Sequence, residues 1–370
     1  MNILCTKDGT MKIITDSNLE AIAEKVEAGI PITDDEALAM LLTSDIMGIC
    51  SIAHSIKQKL HGNVVYYGVN MNLNYTNVCM LRCPLCAFSR DKNDADAYVL
   101  SIDDIANKIT QAGDIDEVHI VGGLHPDLPF SYYEDMLKTI KTIKPTIHIV
   151  AFTAVEYDYL SKKFDIPLDE LFVRFKNAGL GSIPGGGAEI FAPEVREIIA
   201  PKKISGKRWL EVMAIAHRNG IKTNATMLCN HIEKPADIVD HLRHIRQLQD
   251  TTKGFKTFVP LAFHEEHTKI KAKRKEPTGY DIIRMYATAR IYLHNVPHIK
   301  ALWMYVGPKV AQVLLQCGVD DIGATYYDEK VVHSAGAKTP AWGSEPFLQH
   351  LIRDAGFTPL RVNASYIPTR

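Results

Sequence analysis

The 370-residue chain lacks a hydrophobic run long enough to cross a membrane. A membrane helix needs about 20 consecutive apolar residues. The longest stretch without a charged side chain, residues 60–81, is interrupted by Asn, Tyr and Gly. The amino terminus has too short an apolar run for a secretory signal peptide. We therefore predict a cytoplasmic protein without a membrane span.

The chain also lacks an excess of charge of either sign. Its 42 Lys and Arg residues nearly balance 43 Asp and Glu residues, and the formal net charge is −1. A nucleic-acid-binding protein usually carries a marked positive excess, so this balance gives no support to such a partner. With 46% hydrophobic and 23% charged residues, the composition is typical of a folded globular protein. It argues against disordered and fibrous classes.

Cysteine is scarce, and its number does not suit a disulfide framework. There are seven cysteines, an odd number, of which three fall within eight positions. The grouped residues are Cys79, Cys83 and Cys86, and the scattered ones are Cys5, Cys50, Cys229 and Cys317. This distribution favours a reducing compartment and a metal site over disulfide bonds.

Glycine-rich nucleotide motifs are missing, and a regular alternation of strands and helices is present instead. Neither GxGxxG after a first strand nor GxxxxGK[ST] occurs. Residues 16–60 have helical periodicity, with a capping box at Thr33 and Glu36 before an apolar run. Eight strands are predicted, at 66–73, 117–121, 147–152, 181–183, 221–228, 257–263, 299–304 and 319–322. Helical patterns lie between them, at 101–112, 132–143, 207–219, 236–249, 280–293 and 308–316.

Eight such units predict an α/β fold of the (β/α)8 TIM-barrel type, complete or nearly so, with its chemistry at the carboxyl ends of the strands. A doubly wound open sheet uses the same units and stays an alternative. The predicted organisation is an amino-terminal helical extension over 1–62, the barrel over 63–336, and a carboxyl-terminal extension over 337–370. The last segment is expected to form a short helix between Pro- and Gly-containing loops.

The three grouped cysteines follow the first predicted strand with the spacing Cys79-x3-Cys83-x2-Cys86. Thiolates are the usual ligands of iron–sulfur clusters, and three of them can hold three irons of a [4Fe–4S] cluster while the fourth iron stays open. A structural zinc site and packed core cysteines are the alternatives. Zinc would need a fourth ligand, and His119 and His125 do not stand at ligand spacing.

This motif on this loop resembles that of the radical S-adenosylmethionine (SAM) superfamily. The resemblance implies that the cysteines bind the cluster and that its open iron chelates the amine and carboxylate of SAM. It also implies that Gly122 and Gly123, at the end of the second strand, receive the methionine amino group; a plain turn is the alternative. Leu85 stands where the superfamily usually carries an aromatic residue.

Five blocks, residues 86–105, 119–141, 148–160, 185–203 and 223–233, more closely resemble the radical enzymes of the futalosine route to menaquinone, best the aminofutalosine synthases. That resemblance implies that Glu189, after a glycine run, binds the SAM ribose and that Glu233 belongs to the adenine site. A surface position is the alternative for Glu189. Cys229-Asn230 replaces the Tyr-Gly of the family. Arg196, Lys202 and Lys203 are either solvated charges or carboxylate clamps.

The resemblance implies that an external one-electron reductant, such as flavodoxin or ferredoxin, reduces the cluster. The 5′-deoxyadenosyl radical then adds to 3-[(1-carboxyvinyl)oxy]benzoate, giving 6-amino-6-deoxyfutalosine with SAM consumed as a co-substrate. Arg90, His125 and His264 are the candidates for binding the substrate carboxylates, and Phe152 and Phe263 those for the ring walls. Dehypoxanthine futalosine cyclase and the radical subunits of FO synthase are alternative enzymes. An iron–sulfur electron carrier is the alternative outside enzymes.

Overall fold

Strands and helices alternate through most of the chain in the computed structural model, which describes residues 2–5, 11–271 and 277–369. The strands are β1 Asn2–Cys5, β2 Met11–Ile14, β3 Val64–Gly68, β4 Asn70–Leu73, β5 Glu117–Ile120, β6 His148–Ala151, β7 Leu180–Ser182, β8 Thr223–Cys229, β9 Phe255–Ala262, β10 His298–Ile299, β11 Asp321–Ala324 and β12 Thr358–Arg361. The helices are α1 Ser17–Glu27, α2 Asp34–Leu42, α3 Ile46–His61, α4 Ile102–Gln111, α5 Phe130–Ile143, α6 Ala154–Phe164, α7 Leu168–Ala178, α8 Pro193–Ile199, α9 Gly206–Arg218, α10 Pro235–Thr252, α11 Gly279–Tyr292, α12 Trp303–Val306, α13 Pro308–Leu314, α14 Val331–Ser334 and α15 Glu345–Asp354.

The strands from β3 to β11 follow one another around a barrel in chain order. Regular parallel pairing forms the sheets β4-β5-β6-β7, β8-β9-β10 and β11-β3-β12. Single parallel bridges join these sheets, between Ile183 and Thr223 and between Lys300 and Asp321. β3 and β4 are two parts of one extended segment, separated by Val69. The predicted TIM-type barrel is thus confirmed. Between β7 and β8 and between β10 and β11, the hydrogen bonding is reduced to a single bridge.

The predicted amino-terminal helices are present as α1, α2 and α3. The Thr33 side chain accepts from the Glu36 amide, and the Glu36 carboxylate accepts from the Thr33 amide, which completes the expected capping box. Leu19 and Ile22 are fully buried. The antiparallel hairpin of β1 and β2, which the sequence analysis did not predict, precedes these helices.

The carboxyl-terminal segment contributes more to the barrel than its sequence suggested. The predicted short helix is α15, but β12 follows it and pairs in parallel with β3. Beyond β12, the Tyr366 ring stacks on the His298 ring with centroids 3.5 Å apart, and its hydroxyl donates to Asp321. Because His298 and Asp321 begin two barrel strands, this segment covers the amino-terminal end of the barrel.

One predicted strand, 299–304, was wrong in its extent. β10 contains only His298 and Ile299, and α12 begins at Trp303. The Trp303 side chain is fully buried and its indole N–H donates to the Ala324 carbonyl. A short apolar run has no periodicity that separates a buried strand from a buried helical turn. None of the helices in the described residues has the length and apolar character that a membrane crossing requires.

Candidate active site

A cavity of about 370 Å³ lies where the barrel strands end. Its wall is mostly apolar, and its apolar side chains include Val121, Leu228, Leu261, Phe263 and Met304. Polar groups reach it from the loop after β4, the end of β5 and the loops after β7 and β9. This is the end of a β/α barrel at which ligands bind.

The three grouped cysteines all line this cavity. The Cys86 amide donates to the Cys83 carbonyl at 3.0 Å, and the Cys79 amide donates to the Arg90 carbonyl at 3.0 Å. Burial, together with the neighbouring Cys86 and Cys79 sulfurs, raises the pKa of Cys83 to about 11 although the Lys203 ammonium opposes this shift. Metal ligation requires a thiolate, so this buried thiol would lose its proton on binding a metal.

The cysteine arrangement fits a cluster better than a single metal ion. In the described part of the chain, the three side chains grouped as tightly as one ion requires are His61, His298 and Asp320, not the cysteines. Four tetrahedral ligands around one zinc would need such tight grouping. Cys50, Cys229 and Cys317 are buried and do not line the cavity. The residues present therefore fit a cluster held by three thiolates.

Gly122 and Gly123 are required by close packing against the cysteine loop. A Cβ atom on Gly123 would lie 2.2 Å from the Val78 carbonyl oxygen, and one on Gly122 would lie 2.6 Å from the Tyr75 ring. Both glycines line the cavity. Their lack of side chains lets the loop approach the end of β5 and leaves backbone exposed to a ligand.

Glu156 is a cavity residue that sequence reasoning did not single out. Its carboxylate accepts hydrogen bonds from the Tyr75 hydroxyl at 2.8 Å, the Gly122 amide at 3.2 Å and the Thr153 amide at 2.7 Å. Burial raises the pKa of Glu156 to about 7, against the lowering effect of these hydrogen bonds. The Thr153-x-x-Glu156 capping box was the sequence signal available for it.

Glu189 and Lys203 form an ion pair on the cavity wall. Glu189 has a left-handed backbone with φ of 48°, and the Lys203 ammonium donates to its carboxylate at 2.5 Å. Burial alone would raise the pKa of Glu189, but Lys203 holds it below its ordinary value. Of the three cations left open by the sequence, Lys203 lines the cavity. Lys202 is exposed, and Arg196 donates to the Ile190 carbonyl at 3.1 Å.

The predicted carboxylate-binding residues are placed differently from one another. His264 lines the cavity, and its Nε2 lies 3.0 Å from the Tyr305 carbonyl. Arg90 does not line the cavity, since its guanidinium binds Asp96 at 2.8 Å and the Ala87 carbonyl at 2.9 Å within its own loop. His125 is also outside the lining, buried, and accepts from the Asp127 amide.

Glu233 lies beside the cavity rather than on its wall. Its carboxylate accepts from the amides of Asn230 at 2.5 Å and His231 at 2.9 Å. Asn230 has φ of 68°, so the residue that replaces the family glycine adopts the left-handed backbone expected of glycine. Glu233 thus holds the turn at the end of β8.

The two residues predicted to contact the substrate ring, Phe152 and Phe263, lie in different environments in the structure. Phe263 lines the cavity, whereas Phe152 is fully buried behind it. The Phe152 ring packs against Tyr133, Tyr157 and Phe175. A strand-end aromatic residue can face either the cavity or the surrounding helices, and here helix packing decides.

Comparisons with known proteins agree with this geometry. Residues 73–245 match the model of the radical SAM superfamily, and residues 252–369 match that of the CofH/MqnC C-terminal region. The aminodeoxyfutalosine synthase of Thermus thermophilus is 38% identical, over 97% of this chain and 98% of that protein. The 5-amino-6-(D-ribitylamino)uracil–L-tyrosine 4-hydroxyphenyl transferase of Methanopyrus kandleri is 37% identical, over 86% and 88%. The crystal structure of HydG, an [FeFe]-hydrogenase maturase, matches with a TM-score of 0.73 and 18% identity, over 95% of this chain and 77% of that chain, which shows a shared fold.

Proposed function

Because the chain belongs to the radical SAM superfamily, we propose that it is an aminodeoxyfutalosine synthase. It would join the adenosyl part of SAM to 3-[(1-carboxyvinyl)oxy]benzoate and give 6-amino-6-deoxyfutalosine. The observation that carries the proposal is the cavity itself, in which the cysteine loop meets a largely apolar pocket. The near-complete overlap with the Thermus thermophilus synthase supports this choice within the superfamily.

Cys79, Cys83 and Cys86 would hold a [4Fe–4S] cluster, which with SAM supplies the 5′-deoxyadenosyl radical after reduction by an external one-electron donor. Gly122 and Gly123 would present backbone to the methionine part of SAM, and Glu189 would accept from the ribose hydroxyls. Glu156 fixes the Gly122 amide, and Lys203 keeps Glu189 ionised. Glu233 would position the turn next to the adenine.

The remaining wall would hold the second substrate. Its apolar side chains suit a benzene ring, and they exclude water from a reactive radical. His264, at the mouth, would meet the carboxylate of the enol ether. Arg90 and His125, outside the lining, would act on the substrate only through the loops that they hold.

The experiment is an anaerobic turnover with reconstituted enzyme, reductant and SAM labelled in its adenosine. Aminodeoxyfutalosine synthase activity delivers the label into a nucleoside that carries a benzoate, with one methionine released per turnover. A futalosine cyclase would instead leave the label in free 5′-deoxyadenosine. The 4-hydroxyphenyl transferase activity of the Methanopyrus kandleri relative is tested in parallel with tyrosine and the ribitylaminouracil. Label confined to 5′-deoxyadenosine, with the benzoate substrate untouched, would contradict the proposal.

A further inference from the structure

His119 stands at the inner end of the cavity, where no role has been assigned so far. It lies on β5, three residues before Gly122. At about 3.3 Å per extended residue, His119 lies up to about 10 Å from the glycine pair along the strand direction, toward the inner end of the barrel. His264, by contrast, stands two residues after Ala262, the last residue of β9, and lies at the mouth. The two histidines thus mark opposite ends of the same cavity.

Within the described residues, three side chains that can carry positive charge line the cavity: His119, Lys203 and His264. Lys203 is paired with Glu189 beside the cysteine loop. His264 is bonded to the Tyr305 carbonyl at the mouth. Of these three side chains, His119 is therefore the one available to a ligand at the inner end.

A buried carboxylate orients His119. Glu117 Oε1 lies 3.0 Å from His119 Nε2, and the Glu117 side chain is 3% exposed. Burial alone would raise the pKa of Glu117, yet His119 and Lys300 lower it to about 2, so this carboxylate stays ionised. With Nε2 directed at Glu117, a charged imidazole presents its second N–H to another acceptor. The His119 side chain is 22% exposed, and it lines the cavity.

Asn72 completes a polar pair at this position. It is the register partner of His119 across β4 and β5, so the two side chains lie on the same face of neighbouring strands. Both line the cavity. The Asn72 backbone N–H donates to the Tyr327 carbonyl at 2.8 Å, whereas its side-chain amide has no hydrogen-bond partner among the described residues. An imidazole and an amide side by side can both donate to the two oxygens of one carboxylate.

We infer that His119, oriented by Glu117 and assisted by Asn72, binds the ring carboxylate of an aryl carboxylate substrate. The inference rests on the proposed function, and it names His119 as the residue that selects the substrate. The enol ether must lie near the cysteine loop at the mouth, so the ring carboxylate of the same molecule points to the inner end. The apolar wall between the two ends, which includes Val121, Leu228 and Leu261, would hold the ring.

The test compares two ligands that differ only in the ring carboxylate: 3-[(1-carboxyvinyl)oxy]benzoate and 2-phenoxyprop-2-enoate. Their dissociation constants are measured by anaerobic equilibrium dialysis on cluster-loaded enzyme with SAM and no reductant. In the wild type the benzoate binds more tightly. In His119→Gln its dissociation constant rises by about tenfold or more, because a charge-assisted hydrogen bond is lost, while that of the phenoxy analogue is unchanged. In Glu117→Gln the dissociation constant of the benzoate also rises, but by a smaller factor than in His119→Gln.

His244→Gln, at a half-buried position on α10 that does not line the cavity, is the matched control and keeps both constants. SAM affinity and iron content, measured on every variant, separate a local effect from a damaged fold. If His119→Gln weakens both ligands by the same factor, or neither, the inference is overturned and the proposed function stands. If the wild type binds the benzoate no better than the phenoxy analogue, the inference is overturned as well. If labelled turnover with the wild type yields no benzoate nucleoside, the proposed function itself fails.

Discussion

The Cα hydrogens of Gly123 face Cys79 so closely that a Cβ on this glycine would lie 2.9 Å from the Cys79 Cβ. The Gly123 amide also donates to the Thr76 carbonyl at 2.9 Å, in the loop that leads to the cysteines. The end of β5 therefore serves as the surface on which the cysteine loop is set. Gly123, for which the sequence suggests a ligand contact, therefore also has a packing role.

The first prediction is that Gly123→Ala disturbs the cysteine loop. The new methyl group meets the backbone carbonyl of Val78 at 2.2 Å, which only a backbone shift can relieve. Overpacking of this kind costs about 1–3 kcal/mol, and anaerobic urea unfolding should show the loss together with a lower iron content. Gly279→Ala, where a Cβ meets nothing within 4 Å, is the control. Equal stability and iron content in the two variants would contradict the packing role of Gly123.

The second prediction concerns which cysteines hold the cluster. Substituting alanine for Cys79, Cys83 or Cys86 leaves one iron without its protein ligand, so iron content and the brown absorbance should be lost. Cys229→Ala and Cys317→Ala should keep both, because these buried side chains do not line the cavity. The Cys229 thiol donates to the Leu261 carbonyl at 3.3 Å and has a partner already. Loss of the cluster in Cys229→Ala would contradict a three-cysteine site.

The sequence predicted the parts of the site that depend on local pattern. Cysteine spacing and strand-end glycines are set within a few residues, and the structure brings Cys79, Gly122 and Glu189 to one cavity. The identity of the carboxylate-binding side chains depends instead on which partner each finds. Arg90 reaches Asp96, six residues away, and so its charge is used inside its own loop.

Long-range pairing explains what else the sequence did not reveal. β12 pairs Thr358 with Val64, almost three hundred residues earlier, and the periodicity of a four-residue strand cannot specify such a partner. His119 likewise looked like an isolated histidine until Asn72 and Glu117 were placed beside it. The predicted limits at 62 and 336 and the assigned roles of the site residues stay predictions.

The last prediction concerns the pH dependence of folding stability that the buried carboxyl of Glu156 produces. Its pKa of about 7 lies above the ordinary value of 4.5, because burial disfavours the charged form. Between these two values the folded protein keeps a proton that the unfolded chain has lost. Folding stability contributed by this group therefore falls as pH rises from 4.5 to about 7, by at most about 1.4 kcal/mol per pH unit, and levels off above that range.

Glu156→Gln removes this titration. The difference in unfolding free energy between wild type and variant, from anaerobic urea unfolding at several pH values, should shift against the wild type as pH rises from 5 to 7. The offset between them also contains the hydrogen bonds of Tyr75 and Thr153 that the glutamine amide does not reproduce, so the slope is the informative quantity. Glu211→Gln, at an exposed position on α9, is the matched control variant. A flat difference for Glu156→Gln would mean that the carboxyl is ionised throughout this range, with hydrogen bonds that outweigh its burial.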